Sequence, residues 1–174
     1  RAILEILYST GLRVSELVAL DWSHIDSKLR LVRAFGKGRK ERIVPIGEHA
    51  LRSLVSYREA IPSQWIPEDG NWGPVPVLLN RFGQRISDRS IRKIFDRYVG
   101  RAGLDKRTSP HTLRHSYATH LVDSGANLRE VQELLGHKHL ATTQVYRHLT
   151  NEAKAAEYQK HPHSTLPDQK VSNP

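Results

Sequence analysis

The chain contains no cysteine and no methionine. The first absence excludes disulfide staples, thiolate nucleophiles and thiolate zinc sites together, and it suits a reducing compartment. The second, in a sequence that opens Arg1-Ala-Ile-Leu already inside an apolar helical pattern, leads us to expect a fragment whose upstream part is missing. Long apolar runs are also lacking. None approaches the roughly 18 to 20 residues of a membrane-spanning helix, and no charged-then-apolar leader opens the sequence. The expectation is a soluble, cytoplasmic protein with no membrane partner. Only 7% of the 174 residues are aromatic, yet 38% are hydrophobic and 26% charged, enough apolar material for one compact domain and too much for a disordered chain.

What the sequence does have in excess is positive charge. Lys and Arg number 27 against 18 Asp and Glu, a formal net charge of +9. Such a balance on a small chain favours a polyanionic partner, and nucleic acid is the commonest. Solubility alone is the plain alternative. An anionic membrane surface would need a basic face opposite a continuous apolar one, whereas the basic residues here are spread along the chain.

Hydrophobic periodicity predicts a mainly helical α+β fold with a small antiparallel sheet near the front. Ile3, Leu4, Ile6 and Leu7 form a helical stripe ending at Gly11, and Val14, Leu17, Val18 and Leu20 start a second, so Arg13 stands at a junction of two helices. Residues 29–35 and 41–46 read as a β-hairpin, with Lys37 in or beside its Gly36-Lys37-Gly38 turn. A helix over 48–60, an irregular loop over 62–76 rich in Pro, Gly and Trp, and a short strand over 75–79 follow. Ser87 or Asp88 caps a helix through Ile91, Ile94, Phe95 and Tyr98, and Ser109 with Pro110 opens another through Leu113, Tyr117 and Leu121. Asn127 and Glu130 suit the start of a helix ending at Gly136. Short helices over 141–148 and 151–158 come next, then a tail that should be disordered.

Candidate chemistry rests on a few polar positions. His111 and Arg114, three residues apart, share one face in the first turns of their helix, where the N-terminal amides and dipole favour an anion; Leu113, Tyr117 and Leu121 make up the core stripe on another face. Read alone, His111 could simply cap or pack, and Arg114 could pair with a carboxylate. Lys37 between glycines can reach into a groove or can be a solvated turn lysine. Arg13 can present its fork to a phosphate or be a surface charge, and Glu16, three residues on, is its ion-pair partner or its support. His137 follows the helix-ending Gly136, and Tyr146 could be an ordinary edge aromatic. The other histidines show no H-E-x-x-H pattern and no carboxylate-backed cluster, so no metal is expected.

These positions occur in one order: Arg13 in Thr-Gly-Leu-Arg-Val-Ser-Glu-Leu, Lys37 in Gly-Lys-Gly-Arg-Lys-Glu-Arg, His111-Thr-Leu-Arg114, Leu135-Gly-His137, and Thr143-Gln-Val-Tyr146. The combination resembles the catalytic domain of tyrosine recombinases, the phage integrase family, and within it the Xer recombinases, with the XerC branch nearest. The match spans residue 1 to about 160, leaving 161–174 as the tail. Members carry an N-terminal core-binding domain on the far face of the DNA, which we expect to be the part missing ahead of Arg1, and the loop over 62–76 is longer than the resemblance leads one to expect.

The resemblance implies site-specific strand exchange on double-stranded DNA through a 3′-phosphotyrosine, with no cofactor, as in chromosome-dimer resolution. It implies Tyr146 as nucleophile, Arg13 and Arg114 on the non-bridging phosphate oxygens, Lys37 as general acid, His111 as proton acceptor, and His137 as a phosphate hydrogen-bond donor. Glu16 would support Arg13. Partners would be other recombinase protomers in a homo- or heterotetramer on paired sites, and a translocase activator. Arg81, Arg85, Arg89 and Lys93 are candidate DNA-backbone contacts, or else a solvated basic face. Two other functions remain: strand swivelling of the type IB topoisomerase kind, and a non-catalytic basic DNA-binding module.

Overall fold

The structure is a computed structural model, and it describes residues 1–36, 38 and 40–136. Helix α1 (Ala2–Thr10) ends on Gly11 in the left-handed region at φ 59°, and its amide donates to the Leu7 carbonyl oxygen. A short turn leads into α2 (Val14–Val18), with Arg13 as its N-cap in an extended conformation. This is the helix junction expected from the two stripes.

Three antiparallel strands follow in the order β1 (Ile25–Asp26), β2 (Leu31–Phe35) and β3 (Glu41–Pro45). The hairpin is therefore present, with an added edge strand that the sequence reading lacked. Strand β2 begins two residues later than expected because Asp26 Oδ1 accepts from the amides of Lys28 and Leu29, and Arg30 takes a positive φ of 53°. Those features make a tight turn of residues that look strand-like in isolation. In β2 and β3 the register pairs Val32 with Val44 and Ala34 with Arg42, and all four are buried on the core face.

Helix α3 (Glu48–Glu59) matches its expected span. The strand expected over 75–79 is absent. In its place are two isolated bridges, Asp21 with Pro76 and Leu79 with Arg85. Pro74 and Pro76 bring no amide hydrogen, so no ladder can run through them. The loop over 62–76 contains a 3-10 turn (Ser63–Trp65) and is held by its aromatics: Trp72 meets Trp22 edge-on at 6.0 Å, and the Arg58 guanidinium lies 5.4 Å from the Trp22 ring centroid and 5.9 Å from that of Trp72.

Helix α4 (Asp88–Arg101) is capped by Ser87, whose Oγ accepts from the Ser90 amide, and α5 (Pro110–Asp123) opens with the reciprocal Ser109 and Thr112 capping box. Helix α6 (Leu128–Leu135) closes the described region at Gly136, whose φ is 66°. The helices expected over 141–148 and 151–158 lie outside the described residues, as does the tail. Among the described residues no helix is long and apolar enough to cross a membrane.

Among the described residues two apolar clusters form the interior. The larger joins α1, α2, the sheet, α3 and Ile91 of α4, and the smaller joins Tyr117 and Leu121 of α5 to Val131, Leu134 and Leu135 of α6. They meet at Gly11. A Cβ there would lie 2.6 Å from the Tyr117 ring and 3.1 Å from Leu135 Cδ2, so the backbone needs both the left-handed conformation and the missing side chain. The polar groups described next sit beside this seam.

Candidate active site

Glu16 is the centre of the arrangement. It occupies the third position of α2, where its Oε2 accepts from the backbone amide of the N-cap residue Arg13 at 2.7 Å. Its Oε1 accepts from Arg13 Nη1 at 3.0 Å. From the core face of β3, Arg42 donates Nη1 to Oε1 and Nη2 to Oε2, the latter at 2.9 Å. Each carboxylate oxygen thus receives two donors, although the side chain is only 2% exposed. Burial alone would raise the Glu16 carboxyl, but the Arg42 fork and the Arg13 amide and charge outweigh it and hold the group below its ordinary value. It is an anion at neutral pH.

Arg42 is absent from the candidates drawn from the sequence, and it is 6% exposed. Its third contact is Nε to the Leu134 carbonyl oxygen at 2.9 Å. The signal that could have revealed it is strand alternation: Arg42 shares its face with Val44 and Ile46, both fully buried. A charge on the apolar face of a strand requires a buried partner. Across the strand the pairing residue is Ala34, whose small side chain leaves room for the guanidinium stem.

Arg114 also differs from expectation. Rather than pointing away from the core stripe, it lies on it with Tyr117 and Leu121, and is 7% exposed; Leu113, assigned to that stripe from the sequence, packs against the larger cluster instead. Burial is possible because the guanidinium donates Nη1 to the Gly11 carbonyl and Nη2 to the Leu135 carbonyl. Desolvation, with the nearby charges of Arg13 and Arg42, lowers its pKa to about 10, still well above neutrality. His111 stands exposed one turn earlier, at the entrance of α5. The shared-face argument therefore places one residue at the rim and the other inside.

Arg42 and Arg114 together take the carbonyls of Leu134 and Leu135, which have no acceptor role within the last turn of α6. Cations at a helix C-terminus also complement its dipole. The hairpin turn reaches the same place. A Cβ on Gly36 would lie 3.6 Å from Glu16 Oε1, so the residue preceding Lys37 touches the centre of the cluster. Lys37, His137 and Tyr146 themselves lie outside the described residues.

Among the described residues, two guanidinium groups bond one carboxylate and a third, Arg114, lies within its electrostatic reach, with Arg13 the most open at 38% side-chain exposure. Arg13 and Arg42 both oppose the charge on Arg114, and Glu16 offsets only part of that repulsion. An arriving anion would relieve the rest. Such a fixed cationic centre can hold a phosphate and stabilise charge that grows on it. Among the described residues no group of three or more His, Cys, Asp or Glu could hold a metal ion.

The four candidate backbone contacts stand apart from this cluster and differ among themselves. All are exposed. Arg85 is engaged within the protein: Nη1 donates to the Val18 carbonyl at 2.8 Å and Nη2 to Asp21 Oδ1 at 2.5 Å, closing the end of α2. The Arg81 guanidinium lies over the Phe82 ring at 4.6 Å. Arg89 and Lys93 stand on the outer face of α4.

Comparison with known proteins gives the setting. Residues 1–153 match the model of the phage integrase family. Tyrosine recombinase XerC of Syntrophus aciditrophicus (strain SB) is 50% identical over 147 residues, covering 84% of this chain and 47% of that protein. Tyrosine recombinase XerC of Pelotomaculum thermopropionicum is 47% identical over 164 residues, covering 93% and 54% respectively. The crystal structure of XerA recombinase superposes with a TM-score of 0.67 at 32% identity over 92% of this chain and 56% of that one. XerH bound to its difH substrate, a pre-cleavage complex, gives 0.64 at 29% identity over 90% and 44%. The chain thus spans about half the length of the curated relatives it matches. A family match over most of the chain, with relatives of this identity and a shared fold, makes this chain a member of the phage integrase family of tyrosine recombinases.

Proposed function

We propose that residues 1 to about 160 form the catalytic domain of a Xer-type site-specific DNA recombinase, and that 161–174 are a tail outside it. The single observation that carries this reading is the cluster in which Arg13 and Arg114 flank the Glu16–Arg42 pair beside the Gly36 turn. Its net positive charge is built on hydrogen-bonded groups, with Arg42 and Arg114 buried and Arg13 partly open to an incoming anion, an arrangement that suits charge stabilisation at a phosphodiester better than a merely soluble basic surface does.

In this mechanism Tyr146 Oη attacks the scissile phosphorus. The new O–P bond forms as the bond to the 5′-oxygen breaks, leaving a 3′-phosphotyrosine and a free 5′-hydroxyl. His111 accepts the tyrosine proton, and Lys37 supplies the proton that the departing 5′-oxygen needs. Arg13 and Arg114 hold the non-bridging oxygens as charge accumulates, and His137 adds a hydrogen bond. Glu16 keeps Arg13 in place. The phosphodiester energy is conserved in the tyrosyl ester, so rejoining by a 5′-hydroxyl from either duplex is the reverse step.

Double-stranded DNA is the substrate, as the difH complex of XerH supports. The working assembly is a tetramer of recombinase protomers on paired sites, of one kind or two, with a translocase as activator, in the cytoplasm. The names of the XerC and XerD relatives support a role in chromosome partition at cell division. Incubation of the intact protein with a nicked duplex carrying the host's recombination site, followed by a denaturing gel, tests the reading. A covalent adduct that Tyr146→Phe abolishes is expected, while DNA retention without any adduct would reduce the chain to a binding module. Plasmid relaxation independent of any site would point to a topoisomerase.

A further inference from the structure

Arg42 has no role in the chemistry just described, yet it touches every part of the described cluster except Arg114. It bonds both oxygens of the carboxylate that holds Arg13, and it bonds the Leu134 carbonyl at the end of α6. It also stands on β3, one arm of the hairpin whose turn contains Lys37. A Cβ on Gly136 would come within 3.1 Å of Arg42 Cδ, so the backbone passes close over the guanidinium stem as it leaves α6 toward His137 and Tyr146.

Stability alone is a weak reason for such a residue. Taking an arginine and a glutamate out of water is costly, and an apolar pair of similar volume often does as well or better. What an apolar pair cannot do is fix direction. The planar guanidinium fork sets the plane of the Glu16 carboxylate, and that plane sets where Arg13 Nη1 lies, because both Nη1 atoms share Oε1. The remaining edge of the same rigid group fixes the end of α6.

We propose that Arg42 is a positioning residue for strand cleavage. It ties the Arg13 guanidinium, the Lys37 hairpin and the end of α6 into one frame, so that the anion site, the general acid and the segment leading to the nucleophile arrive together at the phosphate. This rests on the recombinase reading above. It assigns Arg42 no contact with DNA.

The test compares intact wild-type protein with Arg42→Lys and with the double variant Glu16→Met/Arg42→Met. A lysine keeps the charge but cannot form the fork, and the double variant removes the buried charges together and keeps the interior apolar. Three readouts are taken: thermal midpoint, half-site affinity, and single-turnover cleavage at saturating DNA. Cleavage is expected to fall roughly 10- to 100-fold in both variants, the scale set by small misplacements of reacting groups. Half-site affinity should stay within about twofold of wild type, since a buried group contributes no phosphate contact. A 5′-bridging phosphorothiolate, whose sulfur leaves with little protonation, should restore part of the rate in Arg42→Lys by bypassing the displaced Lys37, whereas loss of stability alone would slow both substrates equally. Wild-type cleavage by a folded double variant, or equal defects of Arg42→Lys on both substrates, would overturn the role. If Arg42→Lys does not fold, the double variant decides by its cleavage rate, and failure of both to fold assigns Arg42 to the scaffold and overturns positioning. Absence of any adduct from wild type overturns the recombinase reading and this inference with it, an outcome distinct from those that remove Arg42 alone.

Discussion

Arg42 and Glu16 stand 26 positions apart in the sequence and face each other fork to carboxylate, with 6% and 2% of their side chains exposed. Protonating Glu16 would leave the Arg42 guanidinium buried without its counter-ion. The pair is therefore sensitive to acid through the Glu16 carboxyl.

Its consequence for acid stability has a definite sign. The folded-state pKa of Glu16 lies below the ordinary 4.5, so the unfolded chain binds more protons than the folded one as pH falls past that value. The stabilisation is fully present above about pH 5 and is lost as pH drops through the folded pKa. Urea melts from pH 6 down to pH 3 should show a shallower acid loss for Glu16→Gln than for wild type, with the variant less stable near pH 6. Parallel curves would mean that other carboxylates carry the acid sensitivity.

Arg85 was grouped from the sequence with Arg81, Arg89 and Lys93 as a DNA-backbone contact, but its guanidinium closes the end of α2 on Val18, Leu20 and Asp21. Arg85→Ala should therefore destabilise the protein by about 1 to 2 kcal/mol, whereas Arg89→Ala and Lys93→Ala should leave stability unchanged. If Arg89 and Lys93 do contact phosphates, each substitution should lower the salt dependence of DNA binding by roughly one unit of slope. Chemical denaturation alongside a salt titration separates the two effects.

Gly11 and Gly38 both have positive φ, at 59° and 76°, and differ only in what surrounds them. Among the described residues nothing lies within 4 Å of a Cβ on Gly38, so Gly38→Ala should cost only the conformational penalty, on the order of 1 kcal/mol. Gly11→Ala adds a collision with the Tyr117 ring and should cost about 3 kcal/mol or more. Equal midpoints for the two variants in a denaturant series would show that the seam between the clusters can yield.

Lys37 as general acid makes a prediction specific to the leaving group. Lys37→Ala should be slow on a normal phosphodiester and largely restored on a 5′-bridging phosphorothiolate, while Arg114→Ala should remain slow on both. Equal defects on the two substrates would transfer the acid role to another group.

The parts of the fold legible in the sequence are those dictated by local chemistry. The Ser87 and Ser109 caps and the stop at Gly11 each depend on a few adjacent residues, and each appears where its residue type demands. The strand over 75–79 failed because its β-branched residues suggested pairing while Pro74 and Pro76 removed the donors. In the site, Arg13, Glu16 and Arg114 were visible as types and spacings, but the burial of Arg114 depends on carbonyls at Gly11 and Leu135, remote in sequence. Arg42 was legible in principle from strand alternation. Its partner Glu16 lies 26 positions away, so no local spacing pairs the two.

The two arginine bonds to the last carbonyls of α6 set a boundary on motion. Tyr146 lies ten residues beyond Gly136 in the sequence. From that anchor ten residues of any conformation reach at most about 35 Å, so a nucleophile at Tyr146, as proposed above, has to act within that radius of the arginines that hold the end of α6.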